Sequence, residues 1–194
     1  MKKRIFALAV IAICLAIMAY GTTAYYTVEG TAHNVISSGI VDVEIEEWQQ
    51  TASGLEKYPS EPITIMPTAQ VSKIVTVKSL QAESFVRAKY ALVVKDADKK
   101  VKEIPLQELE KIITVALSTE GWTRKDGDSE WWYYTAPLKA GDTTKPLITG
   151  VSFDGPNMTN EYQNCTVEVV VTAQSVQTIH NKATVLEAVG WPEE

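Results

Sequence analysis

Residues 165–174 read CTVEVVVTAQ, and an apolar or small residue occupies every odd-numbered position of this run. The even-numbered positions carry polar side chains, with Val170 as the exception. Because successive side chains of a β-strand point to opposite faces of a sheet, this period of two predicts a strand with one buried and one polar face. We expect the odd-numbered residues from Cys165 to Ala173 to supply core contacts.

The same period recurs along the rest of the chain. Val41, Val43 and Ile45 alternate with acidic residues, and residues 73–77 and 85–94 continue the pattern. Residues 131–134 form a short aromatic run with high β-propensity. Turn-forming pairs such as Asp-Gly and Gly-Asp separate these runs. The sequence therefore predicts a mainly β fold, a jelly-roll-like antiparallel β-sandwich formed by residues 25–194 as a single domain.

One stretch departs from the period of two. Apolar residues at 106, 109, 112, 113 and 116 follow helical spacing, and Pro105 suits the first turn of a helix. We predict one helix at about residues 105–117, inserted between strands.

The N-terminal 24 residues have the composition of a signal peptide. Lys2, Lys3 and Arg4 precede an apolar run over residues 5–19, and small residues follow at 21–24. We expect a signal-peptide helix that is cleaved between Ala24 and Tyr25. The mature protein would then be secreted, extracellular or at the cell surface, touching the membrane only through the signal peptide before cleavage. Retention of the segment as an anchor is the alternative, although the run is short for a membrane span.

Charge and composition exclude several classes of protein. The 194-residue chain is 45% apolar, which is too much for a disordered chain. Without the first 24 residues, 15 basic and 24 acidic residues remain, a net charge of −9. Nucleic-acid binding needs clustered Lys and Arg against phosphates, so we predict no nucleic-acid partner.

Cysteine and histidine are scarce. Beyond residue 24 only Cys165 remains, so no intramolecular disulfide can form, and we interpret it as a small buried residue and not a nucleophile. His33 and His180 lie far apart and belong to no HExxH pattern. We therefore predict no metal, no cofactor and no catalytic residue.

The acidic segment at residues 126–130, DGDSE, has the spacing that opens a calcium-binding loop. An EF-hand loop requires Gly at its sixth position and Glu at its twelfth, and Trp131 and Pro137 stand there instead. The segment is more typical of a hairpin turn between Trp122 and Trp131.

The aromatic run at residues 131–134, WWYY, is the strongest candidate for a ligand surface. Alternation places Trp131 and Tyr133 on one face and Trp132 and Tyr134 on the other. We predict that one pair is in the core and that Trp132 and Tyr134 are surface aromatics. Such a pair would serve glycan or peptide binding, or contacts between subunits.

Several segments resemble the TasA/camelysin-like family of exported proteins of Gram-positive bacteria, which carry a SipW-dependent-type signal peptide. The resemblance begins with residues 21–27, GTTAYYT, and 34–43, NVISSGIVDV. It continues through residues 65–77, IMPTAQVSKIVTV, through DG, WYY and GDTT at 126–127, 132–134 and 141–144, and through 171–177 and 188–191. Thr68 and Ser175 depart from the Gly and Ala that are usual in the family.

The resemblance implies a jelly-roll-like sandwich and assembly into extracellular biofilm-matrix fibres. In such fibres the N-terminal strand of one subunit completes the sheet of the next. The candidate donor strand here is Tyr25, Tyr26, Thr27 and Val28, which is β-prone and follows the expected cleavage site. Alternatively, residues 25–36 pair with their own sheet. Other members have been classed as cell-surface metallopeptidases, but no metal-ligand motif is present onto which catalytic residues could be carried.

We therefore interpret the chain as an exported, non-enzymatic structural protein of the cell surface or extracellular matrix that self-assembles by N-terminal strand donation. Its expected partners are other copies of itself and other matrix or cell-wall components. Two alternatives stay open: a camelysin-type cell-surface metallopeptidase, and an adhesion or glycan-binding module.

Overall fold

The computed structural model describes residues 26–31, 35–37, 42–60, 63–65, 70–158, 162 and 164–192. These residues form fourteen β-strands, one short α-helix and a 3-10 helix at Gly155–Asn157. The first seven strands are β1 (Tyr26–Thr31), β2 (Val35–Ser37), β3 (Val43–Thr51), β4 (Gly54–Lys57), β5 (Ile63–Ile65), β6 (Gln70–Val71) and β7 (Ile74–Ser79). The remaining elements are β8 (Ser84–Lys95), β9 (Val101–Lys102), α1 (Leu106–Leu109), β10 (Ile113–Leu117), β11 (Trp122–Thr123), β12 (Trp132–Tyr134), β13 (Ile148–Phe153) and β14 (Thr166–Gln177).

The strands form two sheets, which confirms the predicted β-sandwich. One sheet has the order β11-β12-β8-β14-β1-β5, with β2 also paired to β14 and β9 to β8. The other has the order β10-β13-β7-β3-β4, with β6 paired to β13. Most pairs are antiparallel, and the longest ladder joins all twelve residues of β8 to all twelve of β14. Among the described strands, β1 and β2 alone run parallel to a neighbour, and in both cases that neighbour is β14.

The core lies between the two sheets. β14 contributes Val167, Val169, Val171 and Ala173, all at most 1% exposed, and Cys165 is buried just before them. The prediction that the odd-numbered residues of this run point inward is therefore confirmed. The opposing sheet contributes the residues that alternation places on its inner face, among them Val43, Val75, Val77, Ile148 and Val151.

The predicted helix at about 105–117 is wrong over most of its length. The helix ends at Leu109, and Ile113–Leu117 forms strand β10, paired antiparallel with β13. Residues 113–117 read ITVAL, so β-branched residues and a period of two compete with the helical spacing. Pairing with β13 buries Ile113 against the core, which the apolar spacing of a surface helix would not require.

The proposed signal peptide, residues 1–24, and the proposed cleavage site at Ala24 and Tyr25 lie outside the described residues. Among the residues that are described, no helix is both long and apolar enough to cross a membrane.

Candidate functional site

The first strand of the described chain lies against the last one. β1 pairs in parallel with β14, with Thr27 beside Thr166 and Thr31 beside Val170. Its other edge pairs antiparallel with β5, where Val28 lies beside Ile63. Three residues of the candidate donor strand, Tyr26 to Val28, are thus in a sheet of their own chain, and the fourth, Tyr25, lies outside the described residues.

β2 continues this arrangement along β14. It also runs parallel to that strand, with Val35 beside Ala173 and Ser37 beside Ser175. Together, β1 and β2 cover residues 166–170 and 173–175 of β14 on the side opposite β8. The N-terminal segment therefore supplies the backbone partners for one edge of β14, a strand with most of its described residues buried.

β14 carries a buried charge beside this edge. Glu168 is only 5% exposed, although it lies on the outer face of its sheet. Its carboxylate Oε1 accepts a hydrogen bond from Lys95 Nζ at 2.5 Å, which pairs the charge across the β8–β14 ladder. The alternation in CTVEVVVTAQ predicts that this outer face is exposed to solvent. At Glu168 it is buried instead.

The predicted surface aromatics are not both exposed. Tyr134 is buried at 9% exposure, its ring meets that of Trp122 edge-on at 5.1 Å, and its hydroxyl oxygen accepts from the backbone N–H of Lys145. Gly121 has φ +77°, and a Cβ there would lie 2.7 Å from the Tyr134 ring. The prediction of Tyr134 as a surface residue is therefore wrong, because this short strand has packed residues on both faces.

Trp132 is half-buried and is covered by a neighbouring side chain. The guanidinium of Arg124 lies 4.4 Å from its ring centroid. Because one ring is covered by a cation and the other is in the core, Trp132 and Tyr134 do not form the exposed stacking platform that glycan binding would use.

The face of residues 131–134 that carries Trp131 and Tyr133 takes part in a second cluster, which the sequence did not predict. Trp131 and Tyr133 pack with Phe85 and Val176, under residues of the C-terminal segment. That segment contributes the following side chains: Val185, Leu186, Ala188 and Trp191. The C-terminal residues thus cover the outer face of the larger sheet at this end.

Arg87 is the centre of this second cluster. Its guanidinium lies 4.2 Å from the Trp131 ring and 4.7 Å from the Trp191 ring. It donates through Nε and Nη2 to Gln174 Oε1, at 2.9 and 2.6 Å, and through Nη1 to the Tyr133 hydroxyl at 3.2 Å. A delocalised cation between two indole rings is well suited to such stacking.

Asp128, in the acidic DGDSE loop, hydrogen-bonds to Tyr133 and so joins the network around Arg87. Its Oδ2 accepts from the Tyr133 hydroxyl at 2.7 Å, and its Oδ1 accepts from the backbone N–H groups of Glu130 and Trp131. Burial disfavours the charged carboxylate, but these hydrogen bonds and the charge of Arg87 outweigh it and hold the pKa of Asp128 below its usual value. The loop serves as the turn between β11 and β12, in agreement with the hairpin interpretation.

A buried ion pair lies at the inner face of the smaller sheet. Lys73 is fully buried, and its Nζ lies 2.7 Å from Glu47 Oε1 and 4.2 Å from the ring centroid of Tyr58. Burial lowers the pKa of Lys73, while the charge of Glu47 and its hydrogen bond oppose that change. Lys73 lies on the same face as Val75 and Val77, so it occupies a position that alternation assigns to the core.

Tyr58 packs against this ion pair through its ring, and its hydroxyl group is unsatisfied within the described residues. Its hydroxyl is buried and finds no hydrogen-bond partner in the described part of the chain. Burial, reinforced by the charge of Glu47, raises the pKa of Tyr58 to about 12. The native state therefore favours the neutral phenol.

We expect Tyr58→Phe to stabilise the protein by about 1 kcal/mol at pH 7, because it removes an unsatisfied buried hydroxyl. Between about pH 10 and 12 the unfolded tyrosine loses its proton while the native one keeps it, so stability falls with rising pH in the parent protein, by roughly 2–3 kcal/mol. Denaturant unfolding at pH 7, 10 and 11.5 measures both effects. A parent and a variant that lose stability equally over this range would contradict the assignment, since Lys73 and Glu47 are present in both.

The remaining candidate residues are not brought together in the part of the chain that the structure describes. Burial raises the pKa of the Cys165 thiol, which disfavours the reactive thiolate. His180 is exposed in a turn with φ 60°, and His33 lies outside the described residues. Within the described ranges, no group of three or more His, Cys, Asp or Glu side chains is placed to hold a metal ion.

Comparison of the chain with models of protein families, with curated proteins and with solved structures finds no match in any of the three.

Proposed function

We propose that this protein is an exported structural subunit that associates with further copies of itself by exchanging its N-terminal strand. The observation that carries the proposal is the position of β1 and β2. They are the first strands of the described chain, yet they cover one edge of the last strand, β14. An N-terminal strand in such a position can be supplied by the same chain or by a neighbour.

The geometry of the exchange favours open growth. The donor is the segment that begins at Tyr26, and the acceptor is the edge of β14, so the two surfaces are different. A contact between unlike surfaces repeats head to tail and forms filaments unless the rotation happens to close a ring. Main-chain hydrogen bonds supply the affinity of an added strand, and the register positions supply its selectivity.

Export is the other part of the proposal and is supported by the composition of residues 1–24. A positively charged start, an apolar run and small residues precede Tyr25 in the order that a signal peptidase requires. N-terminal sequencing of the secreted protein is expected to begin at Tyr25. Recovery of only the uncleaved chain, in the membrane fraction, would contradict this.

Self-association is tested by deleting residues 25–36 from the secreted protein. Light scattering and electron microscopy at matched concentration are expected to show filaments for the parent and none for the deletion variant. A synthetic peptide of residues 25–36, added in excess to the parent, should also stop growth, because it occupies the β14 edge without linking two subunits. Filaments of equal length with and without residues 25–36 would contradict strand exchange.

A further inference from the structure

Strand pairing along one edge of β8 is interrupted in the described part of the chain. β12 pairs with Arg87 and Ala88, and β9 pairs with Val94 and Lys95. Between these two short strands, residues 89–93 have no described strand beside them on that side, whereas β14 pairs with them continuously on the other. The interruption is five residues long, about 16 Å.

The direction of the backbone groups in this gap follows from a contact farther along β8. The N–H of Ser84 donates to Leu138 and its carbonyl accepts from the same residue, both at 2.9 Å, on the side away from β14. Backbone groups alternate in direction along an antiparallel strand, so the even-numbered residues of β8 all point that way. Tyr90 and Leu92 therefore direct two N–H and two C=O groups into the gap. Neither residue has a non-ladder backbone partner among the described residues.

A groove of about 610 Å³ runs along this gap. Leu106 lines it and is 52% exposed, although it is a large apolar residue. The charges in the lining balance: two are cations and two are carboxylates, namely Lys89, Arg124, Glu110 and Glu130. The volume is in the range of sites that hold small ligands and short peptides.

Three of these four charged groups, Lys89, Arg124 and Glu130, already have partners within the chain. Lys89 Nζ lies 3.4 Å from Glu130 Oε2, and Arg124 stacks on Trp132 and donates to the carbonyl of Ser129. An incoming charged side chain would meet charges of both signs. The groove is therefore complementary to an uncharged segment.

We propose that the open edge of β8 between β12 and β9 binds a short, uncharged, extended peptide segment of another polypeptide as an added antiparallel strand. This site lies on the opposite side of β8 from β14, so it is separate from the edge used for self-association and does not depend on the proposed function. Four backbone groups in the correct alternation give the strand its hydrogen bonds.

The lining determines which residues the segment carries. The residue of the bound segment that pairs with Leu92 places its side chain on the same face as Leu92. Leu92 and Leu106 both line the groove, so an aliphatic residue fits there. The residue of the bound segment that pairs with Tyr90 lies beside Glu110 and Arg124. A side-chain amide there can donate to the Glu110 carboxylate and accept from the Arg124 guanidinium. Tyr90, Glu110 and Arg124 all line the groove. Burial and the charge of Glu110 raise the pKa of Tyr90, and the charge of Arg124 opposes them.

The test is a titration of the isotopically labelled full chain with a blocked peptide, acetyl-Thr-Val-Thr-Gln-Thr-amide, followed by NMR. With Val opposite Leu92 and Gln opposite Tyr90, the amide signals of Tyr90 and Leu92 are expected to shift more than those of Ala91 and Val93, whose N–H groups face β14. No selective shift at Tyr90 and Leu92 at millimolar peptide would overturn the proposal.

Two methylated peptides provide the matched control. N-methylation of the Val removes a hydrogen bond to β8 and should weaken binding about tenfold, whereas N-methylation of the central Thr, whose N–H faces away, should change it less than about twofold. Leu106→Gln, an exposed position, should weaken the parent peptide as well. Equal weakening by both methylations would overturn the extended docking. Shifts that appear with rising protein concentration alone would also overturn it, because a second copy would then be the occupant.

Discussion

Val169→Asp is expected to unfold the protein. Val169 is fully buried in β14, between the two sheets, and it lies beside Leu92 in the longest ladder of the molecule. An unpaired carboxylate at such a position costs several kcal/mol, against a total stability of about 5–15 kcal/mol for a domain of this kind. Circular dichroism and urea unfolding of the purified variant measure the loss.

Thr172→Asp is the control for this experiment. Thr172 lies on the same strand but on the outer face, beside Lys89 in the ladder. A carboxylate there faces solvent and a cation, so we expect stability to change by less than about 0.5 kcal/mol. Equal behaviour of the two variants would show that the face assignment of β14 is wrong, since a shift of one residue exchanges the faces.

Lys73→Met is expected to have the second largest effect, a loss of about 3–5 kcal/mol. It removes the cation that lies 2.7 Å from Glu47, whose side chain is only 12% exposed, and leaves that carboxylate without its partner. Thermal unfolding at pH 7 measures the effect. The physical cause is the cost of an unpaired buried charge and not the loss of attraction in itself.

The double variant Lys73→Met/Glu47→Leu separates these two causes. Replacing both members of a buried ion pair with apolar residues of similar size is often neutral or stabilising. We expect the double variant to recover most of the stability that Lys73→Met loses. A double variant as unstable as the single one would show that packing around Tyr58, and not the charge, makes Lys73 necessary.

The strands were predictable where one face is apolar and the other polar. β14 has this pattern and contains residues 166–174 of its predicted run, whereas β3 shares Val43 and Ile45 with its predicted run but continues to Thr51. β10 was missed because Leu106, Leu109 and Ile113 also fit a helical spacing, and only the pairing with β13 distinguishes the two. A local pattern carries no information about a distant partner strand, and here Leu117 pairs with Ile148, 31 residues farther along the chain.

The second cluster could not be predicted from alternation alone, because alternation assigns one face of each strand to solvent. Arg87 and Gln174 lie on that outer face, and Trp191 of the C-terminal segment stacks on the Arg87 guanidinium. A signal was present in the apolar residues Phe85 and Val176, which interrupt the polar faces of β8 and β14. Apolar residues on a supposed solvent face indicate a covering segment, here the last fifteen described residues.

Similarly, the parallel pairing of β1 with β14 does not follow from either strand's own sequence. Both strands are β-prone, and nothing local specifies that the first lies beside the last or in which direction. In the strand exchange that we propose, the same lack of local specification lets a neighbouring copy supply the strand.

Disulfide trapping tests strand exchange most directly, because Thr27 lies beside Thr166 in the parallel ladder. Neighbouring Cα atoms in a sheet are within the roughly 4.4–6.8 Å that a disulfide spans. Two proteins are prepared, both with Cys165→Ala, one with Thr27→Cys and the other with Thr166→Cys. They are mixed, assembled and oxidised. Our account predicts cross-linked dimers joining the two variants in the filament fraction and none in the monomer fraction. Filaments that contain no such dimers, while a single chain with both cysteines closes its own disulfide within those filaments, would contradict it.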